Sequence, residues 1–176
     1  MKKKVHLILI LCTFSLGLYA QSGKNYLQVS GQICRPTSAM LEVTNFGYGG
    51  AIKWMHGFSE YNQQVTFEAG YNRFPVKKLP DGVQANYAAV PIYVGYRYLA
   101  NKVSLELQAG TSVNRIVGRN AEISLSETKL NLGLGLGIGY VLKNFEFGAR
   151  YQVTDVRGTR DDPTFLSLKL AYNILL

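Results

Sequence analysis

The stretch KLNLGLGLGIGYVL, residues 129–142, decides the fold class. Large apolar residues occupy every second position from Leu130 to Leu142, and glycine fills most of the positions between them. Alternation with a period of two is typical of a β-strand with two unlike faces. A helix would carry each of these glycines at a cost of about 1 kcal/mol. We therefore predict a strand with an apolar face against lipid or a hydrophobic core, and a nearly bare face towards a confined interior.

The first twenty residues have the pattern of a secretory signal peptide. A lysine triplet and an apolar run lead to Ala20, a small residue before a cleavage point at Gln21. We expect residues 1–20 to be removed and residues 21–176 to form one β-barrel domain. The mature chain then has a formal charge of +5, and its one cysteine, Cys34, excludes an intrachain disulfide.

Eight segments of the mature chain share the alternating pattern, at residues 26–33, 46–56, 63–73, 88–99, 103–116, 129–142, 145–155 and 166–176. Short turns alternate with longer polar loops, at residues 34–45, 74–87, 118–128 and 157–164. Long loops at one end and short turns at the other are typical of outer-membrane barrels. We predict an all-β fold, an eight-stranded antiparallel up-and-down transmembrane β-barrel. Pro91 cannot donate a ladder hydrogen bond, so a bulge or local break is expected there.

The predicted orientation puts the apolar face outside. That face carries almost no charge, and aliphatic residues fill its middle between two aromatic belts that match the membrane interfaces. The belts contain Phe46, Tyr48, Tyr71 and Tyr151 at the long-loop end, and Trp54, Tyr98, Tyr140, Phe145 and Tyr172 at the short-turn end. Strands of about 12 residues, tilted by about 40°, span roughly 30 Å. A soluble lipocalin-like carrier, with its apolar face inward, is the alternative.

The opposite face is expected to line a narrow lumen. Its charged residues are Lys53, Glu68, Arg97, Glu106, Glu146, Arg150 and Lys169. Eight strands leave only enough room for side chains, and an unpaired buried charge costs several kcal/mol. We expect these residues to form a structural network of ion pairs, with inward glycines making room for their long side chains. A narrow pore or transporter for small solutes is the alternative, favoured if replacing Arg97 or Arg150 changes a single-channel conductance.

Residues suited to catalysis are few. His56 is the one histidine after the predicted leader, and by parity it lies on the lipid-facing side, where a headgroup contact is expected. The run GLGLGIG lacks the downstream helix of a nucleotide-binding loop, and no ligand spacing suits a metal. We predict no enzymatic activity, no cofactor and no metal.

Basic residues gather at the long-loop end of the predicted barrel. They are Arg73, Lys77, Lys78, Arg115, Arg119, Arg157 and Arg160. We expect them to pair with phosphates of an anionic outer leaflet. A nucleic-acid role is excluded because this charge is mixed with acids and fixed at a membrane rim.

Several segments carry a family resemblance. The leader end at Ala20–Gln21, VTFEAGYNRFPV (65–76), PIYVGYRYL (91–99) and SLKLAYNILL (167–176) resemble the outer membrane protein beta-barrel domain family common in Bacteroidota. That family includes PorT-like proteins and shares its architecture with the small OmpA/OmpX class. The resemblance implies a barrel in the outer membrane of a Gram-negative bacterium, with both termini in the periplasm, and it transfers no functional residue.

The resemblance also bears on partners. SLKLAYNILL resembles the C-terminal signal that outer-membrane proteins present to the barrel assembly machinery, although it ends in Leu176 rather than an aromatic residue. No periplasmic domain is expected after the last strand. The leading hypothesis is a structural or interaction protein whose extracellular loops contact lipid headgroups or an external partner of unknown identity.

Overall fold

The fold is a closed barrel of eight antiparallel strands, each hydrogen-bonded to its neighbours in chain order, with β8 returning to β1. A computed structural model describes residues 23–58, 62–80, 82–119, 124–156 and 162–176. The strands are β1 (Asn25–Thr37), β2 (Gly47–Gly57), β3 (Gln63–Pro75), β4 (Gln84–Ala100), β5 (Val103–Arg119), β6 (Ser124–Leu142), β7 (Phe145–Val153) and β8 (Thr164–Leu175). The predicted fold class is confirmed. The predicted signal peptide, Arg157 and Arg160 lie outside the described residues.

Helical structure is minor in the described residues. A single turn, α1 (Met40–Val43), follows β1 at the long-loop end. None of the helices described is long and apolar enough to cross a membrane.

The strands β4, β5 and β6 extend further than the sequence predicted. The loop expected at residues 118–128 is wrong, because β5 continues to Arg119 and β6 already begins at Ser124. Most outward positions in this part are polar, as at Arg115, Arg119 and Thr128. The apolar alternation that led to the prediction stops near Val113 and Leu130, whereas the backbone ladder continues to Arg119 and Ser124.

Pro91 interrupts one ladder without a bulge. The β3–β4 ladder stops at the pair Ala69–Ile92 and resumes at the pair Asn72–Ala89. Each strand has two residues in this gap, so the register is unchanged and no bulge forms. On its other side Pro91 pairs with Ser112 in an unbroken β4–β5 ladder. The expected local break is therefore confirmed, and it affects the β3–β4 ladder alone.

Side-chain exposure shows which face is outside. Leu132, Leu134 and Leu136 are 57%, 40% and 63% exposed, whereas Glu106 and Arg150 are 7% and 4% exposed. An apolar surface that runs around the whole barrel is far larger than a water-soluble monomer carries. The predicted orientation is confirmed, and the lipocalin-like carrier, which needs the reverse orientation, is wrong.

The aromatic residues assigned to the two belts face outward. All are exposed except Trp54, which is half-buried. At the short-turn end Phe145 and Tyr172 are cross-strand neighbours, with ring centroids 5.2 Å apart. Phe46 lies just before the first residue of β2. That these rings sit at the two membrane interfaces stays a prediction.

Candidate functional site

The middle of the lumen holds a compact group of opposite charges, which we call the central cluster. It consists of Lys53, Glu68, Glu106 and Arg150. The Lys53 ammonium lies 3.1 Å from Glu68 Oε2 and also bonds Glu106, while the Arg150 guanidinium bonds Glu68. Arg150 donates a further hydrogen bond of 2.9 Å to Gln108 Oε1. Two cations and two anions thus neutralise one another in a site closed to solvent.

The strand register explains how the central cluster forms. Lys53 on β2 and Glu68 on β3 are direct cross-strand partners. Glu106 lies on β5 and Arg150 on β7, so both reach across the lumen to side chains from non-adjacent strands. The contacts therefore tie opposite walls of the barrel together, which no backbone ladder can do.

A second group of charges lies nearer the β6–β7 turn, and we call it the turn-side cluster. It consists of Arg97, Glu146 and Lys169. Arg97 Nη2 lies 2.8 Å from Glu146 Oε2, and Lys169 Nζ lies 3.9 Å from Glu146 Oε1. Because this cluster has two cations for one anion, neutral acceptors matter: Lys169 donates a 3.1 Å hydrogen bond to Gln28 Oε1. All seven charged residues predicted for the lumen thus lie inside it, in two groups.

Apolar side chains close the long-loop end of the lumen, and we call this group the apolar plug. It consists of Cys34, Met40, Phe74, Tyr87, Ala89 and Phe165. The Phe74 ring centroid lies 4.9 Å from that of Phe165 and 6.0 Å from that of Tyr87. The apolar alternation does not predict the plug, because Phe74 and Tyr87 lie outside the alternating segments, where loops are expected. Phe74 is two residues after the inward-facing Asn72, and Tyr87 is two residues before the inward-facing Ala89. Extending the alternation by two residues would therefore have predicted that both side chains face the lumen.

One buried tyrosine accounts for two of the inward glycines. Tyr93 on β4 pairs with Gly110 on β5, which in turn pairs with Gly133 on β6. The ring lies across both: a Cβ added at Gly133 would sit 2.1 Å from Tyr93 Oη. The sequence predicts that these glycines make room for charged side chains, whereas at Gly110 and Gly133 the occupant is the Tyr93 ring. An aromatic ring over glycine is a known device of β-sheets.

His56 differs from its prediction. Its side chain is on the outward side, as parity predicts, and its ring stacks on Trp54 with centroids 5.7 Å apart. Its Nδ1 lies 2.7 Å from Asn25 Oδ1, and the residue is only 8% exposed. The expected headgroup contact is therefore wrong, because neighbouring side chains cover the imidazole.

The described residues bring no metal-binding set together, since no three His, Cys, Asp or Glu side chains among them are placed to hold an ion. What the lumen offers chemically is a filled, cross-braced interior. With this geometry established, comparison with known proteins gives the family. A family model described as outer membrane protein beta-barrel domain matches residues 7–173. The chain belongs to this family.

Members of other small outer-membrane barrel groups share the fold of this outer membrane beta-barrel protein. Ail, the attachment invasion locus protein of Yersinia pestis, is 17% identical with a TM-score of 0.66, over 86% of this chain and 99% of Ail. Neisserial surface protein A is 19% identical with a TM-score of 0.55, over 84% and 96% of the two chains. The N-terminal β-barrel domain of Pseudomonas aeruginosa OprF is 17% identical with a TM-score of 0.60, over 87% and 100%.

At these identities the likeness shows the fold and no shared activity. Among curated protein sequences, none matches this chain. The family and the barrels of similar fold place the protein in the outer membrane of a Gram-negative bacterium.

Proposed function

We propose that this outer membrane beta-barrel protein is an extracellular interaction protein, whose filled lumen supports a binding surface at the long-loop end. The turn-side cluster, the central cluster and the apolar plug follow one another along the lumen from the short-turn end to the long-loop end. This filling supports a structural role for the charge network rather than conduction. The barrel then serves as a rigid base that holds its extracellular strands in place.

The observation that carries the proposal is the stretch of β6 at residues 124–130, which pairs with β5 and, among the described residues, has no ladder partner on its β7 side; we call it the free edge. The strand is paired with β5 throughout, while its pairing with β7 ends at Leu134 and Val153. On the β7 side of β6, between Ser124 and Leu134, the described residues form one backbone hydrogen bond, which Val156 N–H donates to the Leu132 carbonyl. Unpaired N–H and C=O groups on an exposed strand are a template for a strand from another chain.

Side chains beside the free edge support a protein partner. Leu125 is 72% exposed and Leu130 is 68% exposed, on opposite faces of the β5–β6 hairpin. An extended peptide on this edge would gain backbone hydrogen bonds from the strand and apolar contacts from these two leucines. Backbone bonds supply affinity in such strand addition, and side-chain contacts supply selectivity.

Thr128 offers a test that separates the free edge from the rest of the hairpin. Since the Leu132 carbonyl points to the free edge and bonding directions alternate, the Thr128 N–H points there too. Thr128→Pro removes this donor without removing a donor to β5, and Thr128→Ala is the matched control that keeps it. A random linear-peptide library is selected against the wild-type barrel in nanodiscs, and binding of selected peptides to each variant is measured. We expect binding to Thr128→Pro to be about tenfold weaker, which corresponds to the loss of one well-formed hydrogen bond.

Two results would contradict the proposal. One is that the selected peptides bind wild type, Thr128→Ala and Thr128→Pro equally well, which would place their site elsewhere. The other is that the library yields no peptide that binds above an empty nanodisc.

Catalysis finds no support in the described residues. The buried His56 Nε2 has no hydrogen-bond partner among them, so no hydroxyl or thiol is held against this imidazole as an activated nucleophile requires. We infer that the protein is not an enzyme.

Two further partners belong to the proposal. The barrel assembly machinery would act on β8, whose outward positions are all apolar from Leu166 to Ile174. Anionic lipid of the outer leaflet would contact the basic residues at the long-loop end.

A further inference from the structure

A groove of about 600 Å³ runs over the outer wall of β3, β4 and β5 at the long-loop end, and we call it the basic groove. Its lining includes Tyr71, Arg73, Val90, Val113, Arg115 and Arg119. By strand parity these side chains face away from the lumen, as their neighbours Asn72 and Asn114 are buried inside it. The groove is therefore on the surface that meets the membrane and the space just outside it.

The strand register brings two arginines to either side of one small residue. Arg73 on β3 and Arg115 on β5 both pair with Ala88 on β4. Two strand spacings put the backbones of the two arginines about 10 Å apart. The methyl side chain of Ala88 between them is small and leaves space above the sheet. Arg119 lies further out on the same face of β5. Three cations thus border one groove.

These cations are not neutralised by carboxylates in the described part of the chain. Arg73 Nε donates a 3.2 Å hydrogen bond to Asn86 Oδ1, a neutral partner. Within the described residues neither Arg115 nor Arg119 forms an ion pair, whereas both arginines of the lumen bond a glutamate. The groove therefore has positive charge that no described acid balances.

The membrane side of the groove is apolar. Tyr71 belongs to the aromatic belt predicted at the long-loop end, and Val90 and Val113 lie beside it on the next two strands. Arg73 is two residues beyond Tyr71 on the same face, which places it about 5 Å further along the membrane normal in a tilted strand. Apolar side chains below and guanidinium groups above match a lipid whose acyl chains end in an anionic headgroup.

We propose that the basic groove binds the phosphomonoester headgroup of an outer-leaflet lipid, with Arg73 and Arg115 on the phosphate and the acyl chains against Tyr71, Val90 and Val113. Guanidinium groups bind phosphate oxygens through paired, charge-assisted hydrogen bonds. The inference depends on the outer-membrane location and the outward orientation, and it stands or falls independently of the free edge of β6.

Native mass spectrometry of the barrel in a neutral detergent tests the groove. Phosphatidic acid, which carries a phosphomonoester, is titrated against phosphatidylcholine as the neutral-headgroup probe. We expect wild type to retain phosphatidic acid preferentially, and Arg73→Gln/Arg115→Gln to bind it about tenfold more weakly or worse, as befits two lost charge-assisted contacts. The matched control, Arg35→Gln/Lys78→Gln, removes two exposed cations from the same end of the barrel outside the groove. It should bind phosphatidic acid like wild type.

Three results would overturn the proposal. The first is no preference of wild type for phosphatidic acid over phosphatidylcholine. The second is an equal loss in the control variant, which would indicate attraction by overall charge. The third is displacement of the lipid by inorganic phosphate at millimolar concentration, which would indicate a site for the free anion rather than the lipid. Far-ultraviolet circular dichroism verifies that each variant keeps its β-sheet content.

Discussion

Replacing Glu68 with glutamine is expected to lower the free energy of unfolding by about 3–5 kcal/mol, the usual cost of leaving a buried charge without its partner. Glu68 bonds both Lys53 and Arg150 and is almost completely buried. Glutamine keeps the side-chain volume but removes the charge. The lumen would then hold four cations and two anions. Equilibrium unfolding by urea in lipid vesicles measures the effect.

Two control variants test whether the loss of stability in Glu68→Gln comes from a buried charge left without its partner. Glu127→Gln breaks an ion pair with Lys129 whose side chains are both more than half exposed, so it should cost no more than about 1 kcal/mol. Lys53→Met added to Glu68→Gln removes a cation together with the anion, and should recover part of the lost stability. If Glu68→Gln cost as little as Glu127→Gln, water would be screening the cluster, and the narrow pore would replace the filled lumen.

The second large effect is expected at Gly110. An alanine Cβ there would lie 2.2 Å from the Ile92 carbonyl oxygen and 2.9 Å from Tyr93 Cα, both backbone atoms that cannot turn aside. We expect Gly110→Ala to lower the free energy of unfolding by about 1–3 kcal/mol or more, as overpacking does. The same urea titration measures it.

Gly137→Ala is the matched control, since Gly137 also faces the lumen, from β6. There the nearest atom to an added Cβ is the Ala149 carbonyl oxygen at 3.7 Å, an ordinary contact. Stability should stay within about 0.5 kcal/mol of wild type, or rise slightly because alanine restricts the unfolded chain. Equal losses at both positions would show that the two strands are not placed against β4 and β7 as described.

Much of the fold can be predicted from the alternation of apolar with small or polar residues along each strand. In the glycine-rich strand, Leu132, Leu134 and Leu136 could be assigned to the outer wall because bulky residues alternate strictly with glycine from residue 132 to residue 140. Parity also put Glu106 and Arg150 inside. These predictions succeed because a barrel wall exposes each strand to one environment per face, so composition alone separates the faces.

Other features depend on contacts that periodicity does not encode. The pairing of cations with anions depends on which strands face each other across the lumen, as when Arg150 on β7 bonds Glu68 on β3. The apolar alternation predicts shorter strands β5 and β6, because a backbone ladder can continue where the side chains no longer alternate. The pairing of Arg73 and Arg115 about Ala88 required the register of three strands. For the same reason the basic groove and the free edge could not be found from the sequence.

The outward position of the leucine face is tested most directly by a nitroxide label in lipid vesicles. Single cysteines replace Leu134 or Leu125 in a Cys34→Ser background, and collision rates with oxygen and with a water-soluble nickel chelate are measured by electron paramagnetic resonance. We predict that the label at Leu134 collides mainly with oxygen, which concentrates in the acyl chains, and that the label at Leu125 collides mainly with the nickel chelate. A label at Leu134 that favours the nickel chelate, or that is shielded from both reagents, would contradict the account.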